Sequence, residues 1–158
     1  MKTLIIYDSK FGNTKVVAHT IMKALPSSLT KILSVNKTSI SSLKSFSLLI
    51  VGSPTHGGRP TQNIQNFLNK IPQNFLISIN VAVFDTRYLE KDLNFFLKII
   101  IKTFGYAATR IAQSLKNKGG KLIAPPEGFI VTSKDGPLKK GEIERVSKWT
   151  KKLISLNQ

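Results

Sequence analysis

Short apolar runs alternate along the chain with segments whose apolar residues recur at helical spacing, and this alternation restricts the fold more than any other feature. Leu4-Ile-Ile-Tyr7, Ser47-Leu-Leu-Ile-Val-Gly52 and Asn80-Val-Ala-Val-Phe84 are brief runs without polar alternation. Such runs fit strands buried on both faces. Residues 32–35 read as a weaker second strand. Residues 121–124 and 129–131 read as two pieces of one further strand, interrupted by Pro125-Pro126. Between these runs, four sets recur at helical spacing: Val17, Ile21 and Leu25; Ile64, Phe67, Leu68 and Ile71; Phe104, Ala108, Ile111 and Leu115; Ile143, Val146, Thr150 and Leu153. Pro26, Pro72 and Gly119-Gly120 supply stops. The last helix is expected from about residue 139, with Glu142 and Glu144 near its start and Lys151 and Lys152 near its end, as the macrodipole favours. The pattern predicts an α/β fold, a parallel sheet covered on both faces and built from right-handed crossovers. A chain of 158 residues suits one domain over residues 1–158. Residues 93–101 fit less cleanly. They are apolar nearly all round, which suits either an extra buried helix or a surface patch awaiting a partner.

Composition removes several functions. The chain has no cysteine, so a disulfide scaffold, an iron–sulfur cluster and a thiolate zinc site are excluded. The N-terminal apolar run is too short for a signal-peptide core, and no run reaches the roughly 18 apolar residues of a membrane span. The cytoplasm is the expected location. Twenty-four Lys and Arg oppose eight Asp and Glu, a formal charge of +16, and no acidic residue lies between Asp8 and Asp85. Such a field attracts anionic partners: nucleic acid, anionic membrane and acidic proteins all qualify. Alternatively, the scattered lysines serve only solubility. No aromatic-interleaved basic stretch or nucleic-acid motif occurs, so nucleic acid is not the expected partner.

In open parallel sheets, ligands bind beyond the carboxyl ends of the strands. Three loops directly follow apolar runs: residues 8–14, 53–60 and 85–89. In the first, Ser9, Asn13 and Thr14 offer side-chain donors, Gly12 permits a tight turn, and a helix starting near Thr14 presents free N–H groups. This arrangement suits a phosphate or an ordinary capped turn. It is neither a Walker A loop nor GxGxxG. No acid–base pair, nucleophile–histidine arrangement or metal cluster is evident.

These segments resemble the flavodoxin-like family. Ser9-Lys-Phe-Gly-Asn-Thr14, after a strand ending in Tyr7-Asp8, is similar to the flavodoxin phosphate signature Thr-x-Thr-Gly-Asn-Thr. Gly52-Ser-Pro-Thr-His-Gly-Gly58 resembles the family's second flavin loop, and Ala124-Pro-Pro-Glu-Gly-Phe-Ile-Val131 with Asp135-Gly-Pro-Leu138 resembles its closing strand. The resemblance implies a doubly wound five-stranded sheet of order 2-1-3-4-5 and non-covalent binding of flavin mononucleotide (FMN). It places the phosphate at Ser9, Lys10, Phe11, Gly12, Asn13 and Thr14. It places the flavin ring against Pro54, Thr55, His56, Gly57 and Gly58, with Asp85, Thr86, Arg87 and Tyr88 on the other side. Phe11 replaces one threonine of the signature, and the second loop lacks the tryptophan that often walls the ring. His56 is either a partial replacement or a solvated loop residue; Tyr88 either stacks on the ring or lies on the surface. The function implied is electron transfer to redox partner proteins, acidic ones among them. The alternatives are an NAD(P)H-dependent reductase of quinones or flavins, and a basic interaction or nucleic-acid-binding module.

Overall fold

The computed structural model describes residues 1–133 and 135–156. Strands β1 (Thr3–Tyr7), β2 (Thr30–Ser34), β3 (Leu48–Pro54) and β4 (Asn80–Arg87) are parallel, as are the short β5 (Lys121–Leu122) and β6 (Glu127–Ile130). The order is β2-β1-β3-β4-β5, with β6 also pairing with β4. β5 and β6 therefore occupy one lane beside β4, at its start and at its end, with Pro125 and Pro126 between them. This is the interrupted strand the sequence suggests. Helices α1 (Asn13–Lys23), α2 (Gln62–Lys70), α3 (Phe95–Phe104), α4 (Ala107–Asn117) and α5 (Glu142–Ser155) complete the fold.

Strand side chains alternate between two cores, as the period of two demands. Leu4, Ile6, Val81 and Val83 face one core, together with Ile64, Phe67 and Leu68 of α2 and Ile111 and Leu115 of α4. Ile5, Ala82 and Phe84 face the other, with Val17 and Ile21 of α1 and Val146, Trp149 and Leu153 of α5. Phe84, Phe129 and Trp149 meet there with ring centroids 5.9–6.3 Å apart, two of the three contacts edge-on. Trp149 is buried in that core, whereas Ile143, expected on the inner stripe, is exposed.

Three more expectations need correction. Phe104 does not share the inner stripe of α4. Gly105 ends α3 after it, and its ring is exposed. β4 does not stop at Asp85 but runs on through Arg87. Residues 93–101 are not a buried helix: of α3, only Ile101 is buried.

Candidate functional site

From β1 the chain crosses to β2 on one side and later returns to β3 on the other. The carboxyl ends of β1 and β3 are thus the switch point, where the covering helices diverge and leave a crevice. A cleft opens there, enclosing about 880 Å³ of atom-free space, solvent at its mouth included. Residues from all three expected loops line it: Ser9, Lys10, Phe11, Asn13 and Thr14; Pro54, Thr55, His56, Gly57 and Gly58; Thr86, Arg87 and Tyr88.

The floor is the start of α1. Gly12, at φ 95°, is its N-cap and offers no side-chain cap, and the first turn carries no acid. The Ser9 hydroxyl oxygen accepts from the Gly12 N–H (3.1 Å) and the Lys15 N–H (3.3 Å). An oxygen acceptor is thus already gathered at a helix end that favours negative charge. Asn13 donates from Nδ2 to the Gly136 carbonyl (2.8 Å), pinning the loop after β6. The Thr14 and Thr86 hydroxyls share a buried hydrogen bond of 2.9 Å, joining α1 to the end of β4.

One wall is the turn His56–Arg59, closed by reciprocal backbone bonds of 2.9 and 3.0 Å. Gly57 (φ 54°) and Gly58 (φ 75°) are its central residues. Positive φ at both makes it a type I′ turn, which glycine adopts without strain. The Phe11 and His56 rings meet edge-on, centroids 6.5 Å apart.

The opposite wall rests on a buried ion pair. Asp85 is fully buried and not on the cleft surface. Its carboxylate accepts from Arg87 Nε (2.5 Å) and Nη2 (2.8 Å), and from the Ala108 N–H (2.8 Å) in the first turn of α4. Burial pushes the Asp85 carboxyl above its usual range, while the Arg87 charge and hydrogen bonds pull the other way. The Thr55 hydroxyl accepts the Ala107 N–H (3.0 Å), so Thr55 and Asp85 together satisfy two orphan donors of α4. The Arg87 guanidinium lies 3.6 Å from the centre of the Tyr106 ring. On its other side it occupies the space a Cβ on Gly128 would need. Burial also raises the Tyr106 hydroxyl above its ordinary value, against the pull of the neighbouring Arg87 charge.

The family model of the flavodoxin domain matches residues 4–119, which takes in the three loops and most of the sheet. The chain belongs to the flavodoxin-domain family. Solved flavodoxins share its fold: flavodoxin 2 from Bacillus cereus (20% identity, TM-score 0.75, covering 98% of this chain and 99% of that one) and a flavodoxin from the domain Archaea (17%, 0.75, all of both chains). Rubredoxin oxygen:oxidoreductase from Desulfovibrio gigas also matches (18%, TM-score 0.66), with 99% of this chain lying on 36% of that one. At these identities the likeness establishes architecture. No curated protein matches the sequence.

Of the residues expected at the flavodoxin-type site, Gly12 and Asp85 do not line the cleft. Gly12 turns the chain at the N-cap of α1, and Asp85 stands behind Arg87. Five lining residues were not anticipated: Leu93, Leu97, Ile101, Tyr106 and Val131. The first three lie in the ambiguous apolar segment, whose period does not say which face turns inward. Tyr106 directly follows Gly105, and that helix break was the available signal. Among the described residues, no group of three or more His, Asp or Glu is placed to hold a metal ion, and no helix is long and apolar enough to cross a membrane.

Proposed function

We propose that this flavodoxin-domain protein binds FMN non-covalently in the cleft and carries electrons between redox proteins. The observation that carries the reading is the pairing of an acid-free helix N-terminus, with Ser9 gathering N–H groups, and a cleft walled by aromatic and aliphatic side chains. That donor set fits a phosphate, and those walls fit a flat apolar ring system. Bound FMN would supply the redox chemistry.

The residues of the chain do the rest. Ser9, Lys10, Phe11, Gly12, Asn13 and Thr14 would hold the phosphate, the Ser9 hydroxyl giving up its two N–H partners or donating its own proton. Pro54, Thr55, His56, Gly57 and Gly58 would form one side of the ring site. Thr86, Arg87 and Tyr88 would form the other, extended by Tyr106, with Asp85 fixing Arg87 from behind. Arg87 places a fixed positive charge in that wall. The excess of lysine would favour acidic redox proteins as partners.

Titration of the apoprotein with FMN and with riboflavin tests the phosphate site. FMN is expected to bind at least about tenfold more tightly, the worth of one charge-assisted hydrogen bond. Equal affinity would remove the phosphate loop from the account. The carrier reading further expects slow oxidation of NADH or NADPH with a quinone acceptor. Rapid turnover would favour the reductase alternative.

A further inference from the structure

We propose that α3 docks this protein on an anionic lipid bilayer, with Phe95, Phe96 and Ile99 entering the boundary between headgroups and acyl chains. The inference does not depend on the flavin reading. Single exposed apolar residues are ordinary, but clustering is not. Phe95 is 80% exposed, Phe96 69%, Phe104 58% and Ile99 48%. Three of the four exposed phenylalanines of the chain are therefore on this one helix. The other face turns toward the body of the protein: Ile101 is buried, Leu97 lines the cleft and Ile100 lies against Gly58. The helix is thus fixed to the body of the protein with Phe95, Phe96 and Ile99 outward and Phe104 exposed at its last position.

Charge decides the occupant. Glu90 and Asp92 precede the helix, but no acidic residue follows from Leu93 through Pro126, while Lys98, Lys102 and Arg110 do. The Arg110 guanidinium lies 5.2 Å from the Phe104 ring, and Arg110 shares a surface hollow with Arg59. Lys98 and Lys102 lie along the edge of the Phe95–Ile99 face, and Arg110 stands by Phe104 at the end of the helix. Phenylalanine beside lysine is the composition of interfacial helices; lysine, unlike phenylalanine and arginine, is depleted at protein–protein interfaces. A second copy would set the same cations against each other. A uniformly anionic surface can use every lysine that faces it, which suits the scattered charge of +16.

The test is co-sedimentation of the full chain with phosphatidylcholine vesicles and with phosphatidylcholine:phosphatidylglycerol vesicles of about 7:3, at low and high salt. Binding is expected to the mixed vesicles and not to the neutral ones, and to fade with salt. Phe95→Ser with Phe96→Ser is expected to lower the partition coefficient at least about tenfold. Melting temperature should be unchanged, because both rings lie in solvent. Should the pair melt early, Phe96→Ser alone serves, with a smaller expected loss. No binding to the mixed vesicles would overturn the proposal. So would binding that the serine variants retain, which would mean general charge attraction. A dimer that the serine variants dissociate would assign the face to a second copy.

Discussion

Arg87→Met isolates the ion pair that supports one wall of the cleft. Methionine keeps an unbranched stem against Tyr106 and Gly128 and removes the guanidinium. The Asp85 carboxylate, fully buried, would keep the Ala108 N–H and the Thr55 hydroxyl but lose its counter-charge. Removing one partner of a buried pair costs about 3–5 kcal/mol. The Arg87 side chain is 17% exposed, so water reaches part of the vacated space and the lower end applies. For a chain of this size, about 3 kcal/mol corresponds to a fall of roughly 6–12 °C in melting temperature. The pH dependence has a definite sign. A carboxyl whose folded value is raised stabilises the fold below its unfolded value, and that contribution is lost as pH rises through the folded value. Burial already raises Asp85, and loss of Arg87 raises it further. The variant should therefore lose more stability, over a wider span, as pH rises. The penalty should be smallest near pH 4 and should grow as pH rises toward 8. Urea unfolding of both apoproteins across that range measures it. A penalty that does not change with pH, or one below about 1 kcal/mol at pH 8, would refute the role given to the pair.

Three other outcomes follow from the same geometry. A Cβ on Gly12 would meet nothing, so Gly12→Ala should cost the apoprotein only the left-handed backbone penalty of about 1–2 kcal/mol; denaturant unfolding checks this, and FMN titration should show a larger loss than for Ser9→Ala. Reversing the Gly57–Gly58 peptide would carry Gly58 to negative φ and leave Gly57 positive, as in a change from type I′ to type II′. Gly58→Ala should therefore shift the gap between the two one-electron potentials of the flavin, and Gly57→Ala should mainly lower stability; spectroelectrochemistry that finds no shift in either variant would count against a switching peptide. Electron exchange should be faster with an acidic than with a basic redox protein and should slow as salt shortens the Debye length from about 30 Å at 0.01 M to about 10 Å at 0.1 M. Stopped-flow rates across a salt series decide that point.

The parallel sheet was legible because Leu4, Ile5 and Ile6, like Leu48 through Val51, are apolar at every position, as burial on both faces requires. The loops were legible because small and polar residues follow those runs at once. Asp85 was misread as a loop residue because a charge ordinarily ends an apolar run. Its counter-ion lies two residues on, on the same face of the strand, and the Asp-x-Arg spacing carried that information. Residues 93–101 could not be divided from sequence, since Leu97 and Phe96 are equally apolar and only packing sends one to the cleft and the other to solvent. Tyr106 belongs to no motif; it reaches the cleft because Gly105 redirects the chain between α3 and α4.

The most direct test of the central claim is the visible spectrum of the purified protein, followed by denaturation and identification of what is released. The account predicts flavin absorption bands and the release of about one FMN per chain, recovered on adding FMN back to the apoprotein. A colourless protein whose cleft takes up no FMN on titration, with the fold intact by circular dichroism, would contradict it.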